Sequence, residues 1–370
     1  MKCVVSISKM IGTHWKPGSS GPFKILILTS NNQVGGITSA AIALSQSLRE
    51  DFEVDVAYFS ANNLKEKSIE NWSQMRTPEI AEYSKVLKFI FRLKSLMKYI
   101  KTHKFDFIIC QDPSTSLISY ISMFLNSNLK IIGMCHVPNN LLTNIDKQII
   151  KMIYPKLNKI VVPSDYILRE LNQLSNKLNL VVIPNSLSEK ITSCTWPRIK
   201  GLNLGSYIFL GRLEEEKNPN MILEMAKIDP SCSYVIFGDG SQGKYLKNVA
   251  KELELKNISF LGYQDPSRVL NIGSVVIIPS LTESFGIVAI EAWLHGIPTL
   301  VSSSSEGISE MLKFKDLGLI LDLNAGISKW TEYADKLSKE SISDRTIIAI
   351  LETYHASAQL SRWRDKVIYC

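Results

Sequence analysis

The 370-residue chain is poor in the features that mark several protein classes. Six cysteines (Cys3, Cys110, Cys135, Cys194, Cys232 and Cys370) are scattered with no C-x-x-C pair. That argues against a zinc site and a disulfide framework, and a reducing cytosol is the simplest compartment. No apolar run approaches the ~20 residues needed to cross a bilayer. No D-x-D sequence occurs, so a metal-bridged diphosphate site of that type is unsupported, and neither metal nor cofactor is expected. There are only five histidines. No sequence repeat links the two halves, and no low-complexity segment appears. The first 22 residues hold Lys2, Lys9, His14 and Lys16 around short apolar stretches. They do not make a signal peptide and read as a poorly structured leader.

What is present is apolar and regularly spaced. Hydrophobic residues make up 45% of the chain, and its length exceeds what one compact core usually holds, so two domains are expected. Residues 1–187 carry 22 Lys+Arg against 13 Asp+Glu, a net +9, whereas residues 188–370 carry 20 against 22, a net −2. A basic first half and a near-neutral second half fit two domains with different partners.

Buried-type strands are predicted at Phe23–Leu28, Phe52–Phe59, Phe105–Cys110, Lys130–Cys135, Lys159–Val162 and Leu180–Ile183. Helices are predicted over Thr38–Arg49 and Glu79–Lys104. After a Pro/Gly-containing linker, 188–204, the pattern restarts. Strands are expected at Tyr207–Leu210, Tyr234–Phe237, Ile258–Leu261, Val275–Ile278, Thr299–Val301 and Leu319–Leu321, with helices near Pro219–Ile228 and Lys244–Leu253. Strands alternating with helices imply parallel, doubly wound α/β sheets. The expected organisation is two Rossmann-like domains, 23–187 and 205–353, facing each other across a cleft.

Ligands of such sheets bind beyond the carboxyl ends of the strands, and the candidate residues fall there. Glu283 and Glu291 lie eight apart in Pro279-Ser-Leu-Thr-Glu-Ser-Phe-Gly-Ile-Val-Ala-Ile-Glu-Ala292. A helix starting near Ser284 would put Glu291 about two turns in, roughly 12 Å from Glu283. That span suits a ligand with hydroxyls at both ends and anionic charge between, which the helix N-terminus can receive. A nucleotide-sugar has this form. Arg212 and Lys217 follow another strand and could hold a diphosphate or simply pair with Glu214–Glu216. Gly238-Asp239-Gly240 is a weak turn signal. Gly35-Gly36 permits close backbone approach to phosphate or sugar. That pair is not the G-x-G-x-x-G fingerprint, so NAD or FAD binding is disfavoured. His136 stands just past a strand end, with structural and catalytic roles evenly weighed.

The helix over 85–104 carries Lys85, Lys88, Arg92, Lys94, Lys98, Lys101 and Lys104, and no acid lies between Glu82 and Asp106. Val86, Phe89, Ile90, Leu93, Leu96, Met97 and Ile100 form one apolar face, expected to pack on the sheet. Leu87 and Phe91 fall on the basic side, so an anionic membrane surface is a second expected partner. Nucleic acid is not expected, because no binding module or stacking platform accompanies the charge.

Taken together, these residues resemble the retaining family 4 glycosyltransferases of the GT-B fold, from about Phe23 to the C-terminus. The E-x7-E of Glu283 and Glu291 is the most specific match. Supporting matches are Gly211-Arg212-Leu213 with Lys217-Asn218, Gly-Asp-Gly, Phe260-Leu261-Gly262, Gly35-Gly36, Val162-Pro163-Ser164 and Ile183-Pro184-Asn185.

The resemblance implies that Glu283 contacts donor-sugar hydroxyls, and that Ser284, Phe285, Gly286, Ile287 and Val288 lend backbone N–H groups. It also implies that Glu291 binds ribose and that Arg212 and Lys217 neutralise the leaving diphosphate. Gly36 would approach that phosphate and His136 would lie near the sugar. A last helix, 354–370, would cross back to the first domain. Two positions depart from the family pattern: Ser305-Glu306-Gly307 stands where Gly-Gly is common, and Asn218 replaces a glycine.

The expected function is transfer of a sugar from a nucleoside-diphosphate sugar to a glycan or lipid-linked acceptor, in bacterial surface polysaccharide or lipopolysaccharide assembly. The expected location is cytoplasmic, with a peripheral position on the inner face of the plasma membrane open. A GT-B-fold epimerase or phosphorylase, or a non-catalytic nucleotide-sugar-binding protein, are the alternatives.

Overall fold

The computed structural model describes residues 22–30, 36–60, 72–76, 85–123, 128–187, 206–264, 270 and 273–370. Gly35, residues 1–21 of the expected leader and the whole expected linker lie outside these. The chain divides into two compact units. One comprises Met1–Val162, Glu170–Ser188 and His355–Cys370, and the other Pro163–Arg169 and Glu189–Tyr354.

The first unit is built on seven parallel strands: β1 (Lys24–Thr29), β2 (Glu53–Ser60), β3 (Trp72–Arg76), β4 (Phe107–Cys110), β5 (Lys130–Met134), β6 (Lys159–Val162) and β7 (Leu180–Val182). Their order is β3-β2-β1-β4-β5-β6-β7. β1 pairs in register with β2 on one side and β4 on the other, Ile25 facing Val54 and Phe107. The helices are α1 (Gly36–Leu48), α2 (Lys85–His103), α3 (Pro113–Ser122), α4 (Asn144–Met152) and α5 (Asp165–Leu174), although the first turn of α5, as far as Arg169, groups with the second unit. Local chemistry sets their starts. Asp112 caps α3 by accepting from Thr115 N, with Pro113 in the first turn, and Thr143 and Asp146 form a capping box on α4.

One face of this sheet packs Ile25, Ile27, Ile109 and Ile132 against Ala41, Leu44 and Leu48 of α1. The same core takes in Leu360, Trp363, Val367 and Ile368. These come from the C-terminal helix α12 (Ala356–Trp363) and the π-helical turn Arg364–Ile368. Arg364 forms an ion pair with Asp51. The chain's end therefore belongs to the first unit's core.

The second unit holds six parallel strands: β8 (Ser206–Leu210), β9 (Ser233–Phe237), β10 (Ile258–Gly262), β11 (Val275–Ile278), β12 (Thr299–Ser302) and β13 (Gly318–Leu321). Their order is β10-β9-β8-β11-β12-β13. The strand order reverses between β8 and β11, which makes their carboxyl ends the topological switch point. The helices are α6 (Asn220–Ile228), α7 (Gly243–Glu252), α8 (Ile287–Leu294), α9 (Glu306–Ser309), α10 (Ile327–Ser338) and α11 (Asp344–Tyr354). Two tryptophans anchor the core with their indole N–H groups satisfied. Trp293 donates to Thr299 Oγ1 at 3.1 Å and Trp330 to Asp322 O at 3.1 Å.

Two sequence expectations change. The helix carrying Glu291 begins at Ile287, not near Ser284, because Gly286 takes a left-handed φ of +79° that the helix cannot include. Glu291 is therefore little more than one turn in. On α2, Leu96 and Ile100 are buried as expected, but Val86 and Ile90 of the expected packing face are exposed. β3 was not expected, since its sequence Trp-Ser-Gln-Met-Arg is mostly polar.

Candidate functional site

At the switch point, the loop after β8 carries Lys217 and the loop after β11 carries Glu283, and the two form an ion pair. Each side chain is only 19% exposed, so solvent screens this pair little. Leu281 N donates to Glu216 O at 2.8 Å and binds the two loops together. Lys217 ends a short 3-10 turn, after which Asn218 adopts a left-handed conformation, φ 50° and ψ 49°. Asparagine is one of the few residues that accept this geometry, which accounts for its standing where a glycine is common.

Beyond Glu283, the segment Ser284–Gly286 leads into α8. Phe285 is buried and sets its ring edge-on to Tyr354, centroids 5.9 Å apart. Ile287 and Val288 open the helix, where first-turn N–H groups have no partner within the helix. Glu291 lies on α8 and is 7% exposed.

Arg212 is more exposed. Its Nη2 donates to Glu216 Oε1 at 2.7 Å, and the side chain is 57% exposed. It pairs within its own turn, one of the two arrangements the sequence allowed, while Lys217 reaches across to Glu283.

Gly238 to Gly243 read G-x-G-x-x-G between β9 and α7. The glycines here serve close backbone crossing. A Cβ on Gly238 would lie 1.8 Å from Gly211 O, and one on Gly240 2.5 Å from Leu213 O. The anion position at this turn is filled by Glu214, whose carboxylate accepts Ser241 N at 2.9 Å and Ser241 Oγ at 2.5 Å. Those bonds hold its carboxyl below the usual range.

Two further pieces hold the Glu283 loop. Gly307 N donates to Glu283 O at 3.0 Å, and Ser164 Oγ donates to Ser284 O at 2.7 Å. Arg169 then bridges Glu310, at 2.7 Å, and Glu306, at 3.2 Å. Glu306, unexpected near a diphosphate, is thereby paired with a cation.

In the first unit, His136 follows β5 and is 8% exposed. Its Nε2 lies 3.0 Å from Gln111 Oε1, and Gln111 Nε2 donates to Met134 Sδ at 3.2 Å. With Oε1 as acceptor, Nε2 carries the proton and Nδ1 is left as acceptor. Burial lowers its pKa to about 4, so the ring is neutral at pH 7. Burial also pushes the neighbouring Cys135 thiol, and that of Cys110, up to about 12, which removes both as nucleophiles. Gly36 opens α1, exposed, with nothing within 4 Å of where a Cβ would stand.

Two family models match the chain: Glycosyltransferase Family 4 over residues 34–189 and Glycosyl transferases group 1 over residues 200–350. The chain is a glycosyltransferase. Among relatives, it is 25% identical over 315 residues to the UDP-Gal:alpha-D-GlcNAc-diphosphoundecaprenol alpha-1,3-galactosyltransferase of Escherichia coli, covering 74% of this chain and 77% of that one. It is 25% identical over 314 residues to a Campylobacter jejuni alpha-1,4-N-acetyl-D-galactosaminyltransferase whose named acceptor is an undecaprenol-diphosphate glycan, covering 80% and 84%. Among solved structures, the glycosyltransferase aligns with Anabaena Alr3699/HepE in complex with UDP and glucose. The TM-score is 0.75 at 15% identity, covering 92% of this chain and 98% of that one. The lipopolysaccharide outer core galactosyltransferase WaaB gives a TM-score of 0.72 at 16% identity, covering 93% and 98%. These likenesses show the GT-B fold for the glycosyltransferase.

Proposed function

We propose that the glycosyltransferase uses a nucleoside-diphosphate sugar and works with retention of configuration. The observation that carries the donor reading is the Lys217–Glu283 ion pair beside the start of α8. It supplies one carboxylate for sugar hydroxyls and one cation for a diphosphate, with free helix N–H groups alongside. Glu291 would take the ribose hydroxyls, Ser284–Val288 would lend N–H groups, and Gly238 would let the β8 and β9 loops close up around the donor. The family resemblance alone suggests roles for Gly36 towards phosphate and for His136, a neutral hydrogen-bonding group, towards a sugar.

Retention rests on the family resemblance, and the ion pair supports a front-face route. A carboxylate neutralised by a lysine is a weak nucleophile. The acceptor oxygen would bond to the anomeric carbon as the bond to phosphate breaks on the same face, and the departing phosphate oxygen would take the acceptor's proton. Arg212 and Lys217 would stabilise the charge that develops on that phosphate, without a metal.

A lipid-linked glycan is the proposed acceptor, in bacterial surface polysaccharide or lipopolysaccharide assembly, as the named acceptors of the two relatives suggest. No helix among the described residues is long and apolar enough to cross a membrane. Peripheral contact with an anionic membrane is the proposed arrangement. Val86, Leu87 and Ile90 are exposed on α2 beside the exposed Lys88, Lys94, Lys98 and Lys101. Leu141, Ile145 and Met152 are exposed at and beside α4. A basic, apolar face of this kind suits an anionic lipid surface.

Thermal shift against UDP-, GDP-, ADP- and dTDP-sugars, with and without EDTA, tests the donor and the metal-free step. Glu291→Ala should then weaken binding of the responding nucleotide in calorimetry by about 100-fold, the loss of a charge-assisted contact. Unchanged affinity removes Glu291 from the ribose.

A further inference from the structure

We propose that Arg169 is a positioning residue for the sugar end of the donor site, a role that rests on the donor reading above. Ser164, Tyr166 and Arg169 follow β6, yet the segment Pro163–Arg169 packs within the second unit. One contact from this segment reaches the loop that carries Glu283, and three reach the glutamates at either end of α9 beside it. Ser164 Oγ donates to Ser284 O at 2.7 Å. Tyr166 N donates to Glu310 Oε2 at 3.0 Å. The Arg169 guanidinium spans Glu310 and Glu306, at 2.7 and 3.2 Å.

The turn between those two glutamates is the other half of the clasp. Its Gly307 N donates to Glu283 O at 3.0 Å, and its Ile308 side chain covers Gly286 so closely that a Cβ there would lie 2.2 Å away. Arg169 thus fixes the turn, and the turn fixes the backbone on both sides of Ser284. Arginine suits this position because its rigid planar fork presents separate N–H groups to two carboxylates in a fixed geometry, whereas lysine offers one rotatable ammonium on a flexible stem. The clasp bears on Glu283, the sugar-side carboxylate, and leaves Glu291 to its helix.

Two measurements on the full chain test this. Hydrogen exchange at the Gly307 amide needs no ligand, and it should speed up about tenfold in Arg169→Ala, with Arg169→Lys between the two. Calorimetry with UDP, UDP-glucose, GDP and GDP-mannose should show the variant losing about tenfold of the added affinity contributed by the sugar, with affinity for the bare nucleotide unchanged. Unchanged exchange at Gly307 overturns the clasp. Equal loss for nucleotide and nucleotide-sugar overturns its assignment to the sugar end. Wild-type protein that binds none of the four refutes these donors instead, and the exchange result still decides the clasp.

Discussion

Acidification should destabilise the first unit through His136 by an amount that follows from its burial. The imidazole is 8% exposed and its pKa falls from 6.5 to about 4 on folding. A depressed pKa means that the unfolded chain binds more protons between those two values. Stability is therefore complete above pH 6.5 and is lost as the pH falls towards 4. Between pH 7.5 and pH 4.5 the loss amounts to about 2.5 kcal/mol at 25 °C, a large share of a typical domain's 5–15 kcal/mol. His136→Gln removes the titration while keeping an amide that can still donate towards Gln111. Whatever its stability at pH 7.5, its dependence on pH between 7.5 and 4.5 should be flatter by about 2.5 kcal/mol. Pulsed hydrogen exchange in urea, read on peptides spanning 105–136, isolates the relevant sheet in the intact chain. Parallel pH profiles for the two proteins would refute a histidine held neutral by burial.

Two other outcomes follow from geometry. Gly238→Ala should cost about 3 kcal/mol or more, since its φ of +135° and the Gly211 carbonyl 1.8 Å from the new Cβ both oppose it; urea unfolding measures the loss. Gly36→Ala, with open space around it, should leave stability unchanged or raise it by up to about 1 kcal/mol in the same assay. Joint change of the exposed Lys88, Lys94 and Lys98 to Glu should abolish sedimentation with phosphatidylglycerol vesicles, since each lysine is worth about 1 kcal/mol at such a surface. Arg92 is left out because its guanidinium lies over the Phe59 ring, 5.6 Å from the centroid. Binding that persists at the same salt would leave α2 as a packing helix alone.

The strand pattern was legible because parallel strands buried on both faces read as unbroken apolar runs, as Val275–Ile278 and Phe107–Cys110 do. β3 escaped because an edge strand needs no such run; Met75 is buried among polar neighbours. The start of α8 was misplaced by three residues because Ser284-Phe285 reads as a plausible first turn. Only the left-handed Gly286, pressed by Ile308 from a distant segment, ends that possibility. The pairing of Lys217 with Glu283 rather than with Glu214–Glu216 depends on two loops 66 residues apart, which no local pattern encodes. Glu214 was likewise invisible as the occupant of the Gly238–Gly243 turn. Arg169 carried no signal at all, lying in an ordinary helical stretch.

The glycines at the strand ends limit how this enzyme can change. Gly238, Gly240 and Gly307 each lie where a Cβ would come within 2.5 Å of a neighbouring carbonyl oxygen. Those crossings are closed to substitution. Variation in donor choice must then arise from side chains around these crossings rather than from the backbone beneath them. Libraries aimed at a new donor sugar would do best to randomise those side chains and leave the glycines intact.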